Sequence, residues 1–320
     1  MNRIGVLTSG GDAPGMNACI RAAARMGAYQ EIEVFGIERG YDGLIAGEIK
    51  ALGPRDVSDM IQRGGTFLKT ARSEAFMTEE GFERAVDMLK SFKIEGLVVI
   101  GGNGSMAGSL RLAKAGVRIV FIPGSIDNDM AYTDYSIGFD TAVNTALYAI
   151  SHIRDTSAAH ERVTIIEVMG RECGDIAIYA GLTGGAEIIL VPEKHVDISE
   201  VCRILIESRN KGKGSSIIVK AEGVDIDPQY LDDEITKRTG LDVKVVILGY
   251  IQRGGTPTSN DRMLASIFGA KAVELLKEDK HGVALGMVNR ELVMPELGDA
   301  LKAKKGDISP LYDLANVLSL

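Results

Sequence analysis

Tryptophan is absent from this 320-residue chain, and cysteine and histidine are scarce, at three and four residues. Cys19, Cys173 and Cys202 lie far apart, with neither the paired spacing of a metal-ligand set nor the makings of a disulfide framework. That excludes a disulfide-stapled secreted fold and predicts a cytoplasmic protein. None of His152, His160, His195 and His281 stands in a recognised nucleophile context, so hydrolysis by a serine triad is not expected. No apolar run approaches the length that spans a bilayer, and no apolar signal segment is present, so no membrane association is expected. Positive charge is also in deficit: 36 Lys and Arg against 44 Asp and Glu leave a net charge of −8. Nucleic acid is not an expected partner, because neutralising its backbone calls for a basic surface. Local basic pockets for anionic metabolites are compatible with that balance.

What is plentiful is glycine, 38 residues, gathered at the ends of short apolar runs. Tight loops rather than aromatic platforms are therefore expected to hold ligands. Residues 118–122 read as a buried strand that ends in Pro123-Gly124-Ser125-Ile126-Asp127-Asn128-Asp129. In an α/β protein, the loop at the carboxyl end of a parallel strand is where ligands bind. A carboxylate there can take a proton from a substrate hydroxyl, and a second can help hold a cation. In isolation the same residues would read as a polar turn bonding its own amides.

This loop has company. Strand-like runs at 3–8 and 97–100 lead into Ser9-Gly10-Gly11-Asp12-Ala13-Pro14-Gly15 and Gly101-Gly102-Asn103-Gly104-Ser105, each followed by a helical stretch. That layout lets backbone amides at a helix N-terminus hold phosphate. Neither loop carries the Walker pattern or the dinucleotide fingerprint, which argues against an NAD-dependent dehydrogenase. Further strands are expected at 33–37, with Gly40-Tyr41-Asp42-Gly43 as its turn, and at 164–168, 187–191, 216–221 and 243–248. Helical spacing marks 16–29, 79–92, 141–153, 199–209 and 262–276. Strand and helix alternate throughout, which predicts an α/β fold: two Rossmann-like lobes with mostly parallel sheets and helices on both faces. Arg72, Arg162, Arg171, Lys244 and Arg253 recur near glycines at the expected strand ends, a placement suited to phosphate.

Taken in order, the stretches Leu7 to Asn17, Ile126-Asp127-Asn128-Asp129, Met169-Gly170-Arg171 and Gln252-Arg253-Gly254-Gly255 resemble the bacterial ATP-dependent 6-phosphofructokinases over essentially the whole chain. The resemblance implies a homotetramer that uses ATP as co-substrate, with Mg²⁺, to phosphorylate the 1-hydroxyl of fructose 6-phosphate. Residues 1–138 plus 252–304 would form the ATP-binding lobe, and 139–251 plus 305–320 the sugar-phosphate lobe. Asp127 would be the general base, with Arg72, Arg171 and Ser125 also catalytic. Gly11, Tyr41, Arg72, Gly102, Gly104, Ser105 and Gly108 would surround ATP. Ser125, Asp127, Asp129, Arg162, Met169, Gly170, Arg171, Glu222, Lys244, Tyr250 and Arg253 would hold the sugar phosphate, Arg162 from a neighbouring subunit. Asn103 and Asp129 would stand at the metal. Arg21, Arg25, Arg154, Glu187, Lys211 and Lys213 would form a pocket for ADP or phosphoenolpyruvate as effectors; without the resemblance, the Lys211/Lys213 run is a solvated turn. Pyrophosphate-using relatives usually carry Asp at Gly104 and Lys at Gly124, so glycine at both favours ATP.

The chain also departs from the family. Asn103 stands in place of a metal-contacting Asp, Ser125 of a Thr, Lys244 of an Arg and Tyr250 of a His. Gly214 and Ser215 replace a basic pair, and Pro54 an Arg, at effector positions. These departures carry an alternative reading, a catalytically weakened homologue acting as a regulatory or binding subunit.

Overall fold

The computed structural model describes residues 1–319. The chain first lays down β1 (Arg3–Ser9), α1 (Met16–Tyr29), β2 (Glu33–Ile37), α2 (Gly40–Ala46), β3 (Ile49–Ala51), α3 (Glu79–Ser91), β4 (Gly96–Gly101), α4 (Asn103–Lys114) and β5 (Arg118–Pro123). It continues through α5 (Phe139–Ala159), β6 (Val163–Val168), α6 (Asp175–Thr183), β7 (Ile188–Leu190), α7 (Ile198–Asn210), β8 (Ser216–Ala221), α8 (Pro228–Thr239) and β9 (Val243–Ile247). It closes with α9 (Ser259–Lys277), β10 (Val283–Ala284), β11 (Gly286–Val288), β12 (Glu291–Val293), α10 (Leu297–Lys302) and α11 (Ser309–Leu318). Two compact units divide these elements: residues 1–141 with 253–305, and residues 142–252 with 306–320.

The first unit is built on a six-stranded sheet in the order β10-β5-β4-β1-β2-β3. All pairs are parallel except β2 with β3. Strand residues alternate between two buried faces. Leu7, Leu97, Val99, Ile119 and Phe121 share a core with Leu44, Phe82, Met106 and Leu297 from α2, α3, α4 and α10. Ile4, Val6, Val98 and Val120 are equally buried on the other face, where α1 and α9 pack. A parallel strand covered on both sides must be apolar throughout, which is why β4 reads Gly-Leu-Val-Val-Ile-Gly without a polar residue.

The second unit holds a four-stranded sheet, β7-β8-β6-β9, parallel throughout. β8 at its centre is buried along its whole length, and that includes Lys220. The Lys220 ammonium donates to Glu167 Oε2 at 2.8 Å, its register partner on β6. The pair ties the two strands together just before their C-terminal loops begin.

The stretch 40–43, expected as a turn, is the first turn of α2. Arg39 and Gly40 enter it in the left-handed region, at φ 54 and 60. Gly43 lies so close to the Glu38 carbonyl that a side chain there would overlap it. The glycines open and pack a short helix whose Tyr41 and Leu44 face the core. Lys244, grouped with the cations near glycine-bearing strand ends, is the second residue of β9, at the end away from Gly249.

Candidate active site

In the first unit the site follows from strand register. Ser9 pairs with Gly101, and Gly101 with Pro123, so β1, β4 and β5 end on one level. Their three loops emerge side by side. The chain leaves β1 toward β2 on one side while β4 and β5 lie on the other. That is the reversal of strand order at which open parallel sheets bind ligands.

The β4 loop has the geometry suited to an anion. Gly102 is the N-cap of α4, and Asn103, Gly104 and Ser105 form its first turn with no side chain capping it. Free amides at a helix start favour phosphate. An added Cβ at Gly104 would meet nothing within 4 Å. Gly124 is tighter: a Cβ there would lie 3.0 Å from Ile100 Cγ2 and from the Met16 tip, and 3.4 Å from the Gly101 amide nitrogen. Gly108 is a different case: a Cβ there would come within 2.9 Å of Tyr41. The Tyr41 ring is 4 % exposed and stacks on Phe76, with centroids 4.1 Å apart. Its hydroxyl donates to Ser105 O at 2.8 Å. Tyr41 and Gly108 therefore set the position of α4 from beneath.

The β1 loop is pinned by neighbours the sequence did not announce. Buried Asn17 donates to Arg63 O and Gly64 O, at 3.2 and 3.0 Å, and accepts from the Phe67 amide at 2.8 Å. Thr70 donates to Gly10 O at 2.8 Å. These bonds shape the segment that presents Arg72, itself exposed. Arg253 lies over Gly11, where any side chain would collide with its guanidinium, and pairs with Asp12 at 3.2 Å.

The β5 loop carries the carboxylates. Asp127 is 4 % exposed, and its amide donates to Ser125 Oγ at 3.3 Å. Ser136 Oγ donates to Ser125 O at 2.5 Å. Between the two aspartates, Asn128 adopts the left-handed region at φ 53. Its side chain donates to Asp134 O at 2.9 Å and accepts from the Ser136 amide at 2.9 Å. Asp129 is half-buried, and its Oδ1 has no hydrogen-bond partner among the described residues. Asn103 reaches the same residue, donating from Nδ2 to Asp129 O over 3.4 Å. The two residues expected at a metal are thus neighbours. Among the described residues no group of three or more His, Cys, Asp or Glu could hold a metal by itself.

In the second unit, Val168 and Ala221 share a register level, and the loops after them meet. Glu222 accepts from the amides of Gly170 and Arg171 at 3.2 and 2.8 Å. Arg171 is left-handed at φ 52. Gln252, fully buried, accepts from the Met169 amide at 3.3 Å and donates to Gly249 O at 3.1 Å. Met169, Gly170, Arg171 and Glu222 therefore form one constellation, with Tyr250 on the adjoining 249–253 turn. Arg162 and Lys244 do not join it. They lie at the opposite ends of β6 and β9, both paired with Asp242, at 3.3 and 2.9 Å. The Lys244 hydrogen bond, more than the Arg162 charge, holds the Asp242 carboxyl below its usual range.

Three of the expected effector residues converge in the same unit. Glu187, buried, faces Lys213 at 2.6 Å and Arg154 at 3.5 Å. It borders a cleft of about 610 Å³ that Lys211, Lys213 and His195 also line. Arg21 and Arg25 sit one turn apart on α1 in the first unit; burial, then the charge of Arg25, lowers the Arg21 pKa.

Parallel sheets, a glycine-opened helix N-terminus and a carboxylate loop on the same level define a phosphate-handling α/β protein. The phosphofructokinase family model matches residues 3–276. The chain belongs to that family. It is 53% identical over the full length of both chains to the ATP-dependent 6-phosphofructokinase of Clostridium tetani, and 51% to that of Clostridium botulinum strain Loch Maree. Among solved structures it is similar to phosphofructokinase of Saccharomyces cerevisiae, with TM-score 0.89 and 33% identity. All of this chain is covered there, and it spans about half, 48%, of that longer chain. A pyrophosphate-dependent phosphofructokinase of Marinobacter aquaeolei shares the fold, with TM-score 0.86 at 20% identity over 97% of this chain and 86% of that one.

Proposed function

We infer that this chain transfers the γ-phosphoryl group of ATP to the 1-hydroxyl of fructose 6-phosphate, giving fructose 1,6-bisphosphate in glycolysis. The observation that carries the reading is the common level of Ser9, Gly101 and Pro123, which sets a helix N-terminus suited to phosphate beside Asp127. Gly102, Gly104 and Ser105 leave room and amides for the triphosphate, Gly11 admits the Arg253 guanidinium beside it, and Arg72 supplies a further cation. Asp127 accepts the hydroxyl proton, and Arg171 and Arg253 carry charge to the sugar phosphate or the transferred group. Positioning and charge neutralisation dominate this chemistry. Asp129, with an unsatisfied buried oxygen, and Asn103 fit Mg²⁺, which binds through one or two protein oxygens alongside substrate phosphates. Bound there, it would supply charge neutralisation on the phosphates.

Arg162 and Lys244 lie roughly 20 Å along the strands from Arg171, at about 3.3 Å per residue. We place them in the sugar-phosphate site of a neighbouring copy, within a homotetramer. Glu187, Lys213 and Arg154 would receive an anionic effector such as ADP or phosphoenolpyruvate. Three buried free thiols favour a reducing, cytoplasmic setting. No helix among the described residues is long and apolar enough to cross a membrane.

The weakened-homologue reading rests on the departures already named, chiefly Asn103, Lys244 and Tyr250. Relatives at 51–53% identity over their whole length bear the name of the active enzyme, and that favours catalysis. A coupled assay with fructose 6-phosphate, ATP and Mg²⁺ tests it. Asp127→Ala is expected to lower turnover ~10²–10⁴-fold while fructose 6-phosphate still binds. Near-native turnover in that variant would end the role assigned to Asp127.

A further inference from the structure

We propose that Lys305 is a positioning residue for phosphoryl transfer, holding the backbone between Asp127 and Asp129. The inference rests on the function proposed above for that loop. Lys305 follows α10 in an exposed segment, yet its ammonium donates to the carbonyl of Asn128, which is 2 % exposed and 177 positions away in sequence. Asn128 is the left-handed residue of the loop, at φ 53.

A left-handed residue reverses the peptide that follows it relative to ordinary backbone. Here that peptide joins Asn128 to Asp129, so its orientation decides where the Asp129 carboxylate points and fixes the chain on which Asp127 is carried. The Asn128 side chain secures one side of the residue through Asp134 O and the Ser136 amide. Lys305 secures the carbonyl side. A charge-assisted bond to a carbonyl is about twice as strong as a neutral one. The cation also lies beside a loop bearing two carboxylates that must receive an anionic nucleotide. Misplacing a reacting group by ~1 Å costs on the order of 10²-fold in rate, so modest loosening is enough to be felt.

Because Lys305 is exposed, its replacement leaves the core intact, which separates positioning from folding. Lys305→Met and Lys305→Arg are compared with Asp127→Ala by steady-state kinetics and thermal unfolding. The methionine variant is expected to lose at least about tenfold in kcat, with KM for both substrates within about twofold and an unchanged Tm. The arginine variant, which keeps a donor and charge, is expected to recover most of kcat. A methionine variant with native kcat overturns the proposal. So does a loss of kcat that tracks a falling Tm and is not restored by arginine. If Asp127→Ala itself turns over normally, the loop is not catalytic and the proposal falls with that reading.

Discussion

A carboxylate that accepts three hydrogen bonds ought to be a strong acid, yet Asp261 is pushed up to about 6. Its oxygens receive the Gly138 and Thr141 amides, both at 2.8 Å, and the Thr141 hydroxyl at 2.5 Å. Burial outweighs all three, and the nearby Asp140 adds to it. The folded value lies above that of the unfolded chain, so the folded state holds this proton more tightly. The contribution is fully present below about pH 4 and is lost as pH rises through about 6. Measured by urea unfolding between pH 4 and 7, the wild-type advantage over Asp261→Asn is expected to shrink with rising pH, by on the order of 2 kcal/mol. An advantage that grows with pH would show that the hydrogen bonds, and not burial, dominate. Such residues were illegible in the sequence. Asp127, Ser125 and Asp129 announce themselves because their meaning sits in one contiguous motif. Asp261 acts through partners more than a hundred residues away and lies outside every quoted motif. Asn17 and Gln252 sit at the ends of such motifs, but their bonds to Arg63 O and the Met169 amide could not be read from them.

Among the elements, the packing of α1 on α9 depends on Gly269. A Cβ there would meet the Cys19 carbonyl and come within 2.8 Å of Ala22 Cβ. Both are parts of α1 that cannot swing aside, so Gly269→Ala must push the helices apart. Overpacking of this kind costs about 1–3 kcal/mol, more than the gain in helix propensity of up to about 1. A lower urea midpoint with an unchanged slope is the expected result; an equal or higher midpoint would mean the helices have slack. The helices that periodicity did not reveal failed for opposite reasons. α6, Asp175–Thr183, is buried on nearly every side, so no face alternates. α8 buries only Leu231 and Ile235, too few for a stripe. Its ends were readable all the same. Asp227 caps the Gln229 and Tyr230 amides, Pro228 opens the helix, and Gly240 closes it at φ 71. The strands were the clearest elements, because parallel strands covered on both faces are short uninterrupted apolar runs.

For the whole molecule, Arg162 and Lys244, both held by Asp242 away from Arg171, can serve the sugar phosphate as proposed only with a second copy. Arg162→Ala is expected to weaken fructose 6-phosphate binding chiefly, raising KM more than it lowers kcat. Mixing it with Asp127→Ala gives the sharper measurement. If the site is shared, co-refolded mixtures contain sites with an intact Asp127 from one copy and an intact Arg162 from another. Activity above that of either variant alone is then expected, and none would appear if each copy served itself. The motif order made the family legible, but a sequence does not say at which end of a strand a residue will lie. The register of β6 and β9 supplied that.

The first unit is assembled from two separated stretches of chain, with all of the second unit's β6 to β9 between them. During synthesis, α1 leaves the ribosome early, while α9, which covers it, is encoded some 230 residues later. At ~5–20 residues per second, the apolar side of α1 waits roughly 10–50 s for its cover. The intervening unit, contiguous apart from α11, has its four strands in hand before the earlier one can be completed. Order of emergence and order of completion are therefore reversed in this chain, and the nascent polypeptide passes through a period in which chaperones have a defined apolar surface to shield.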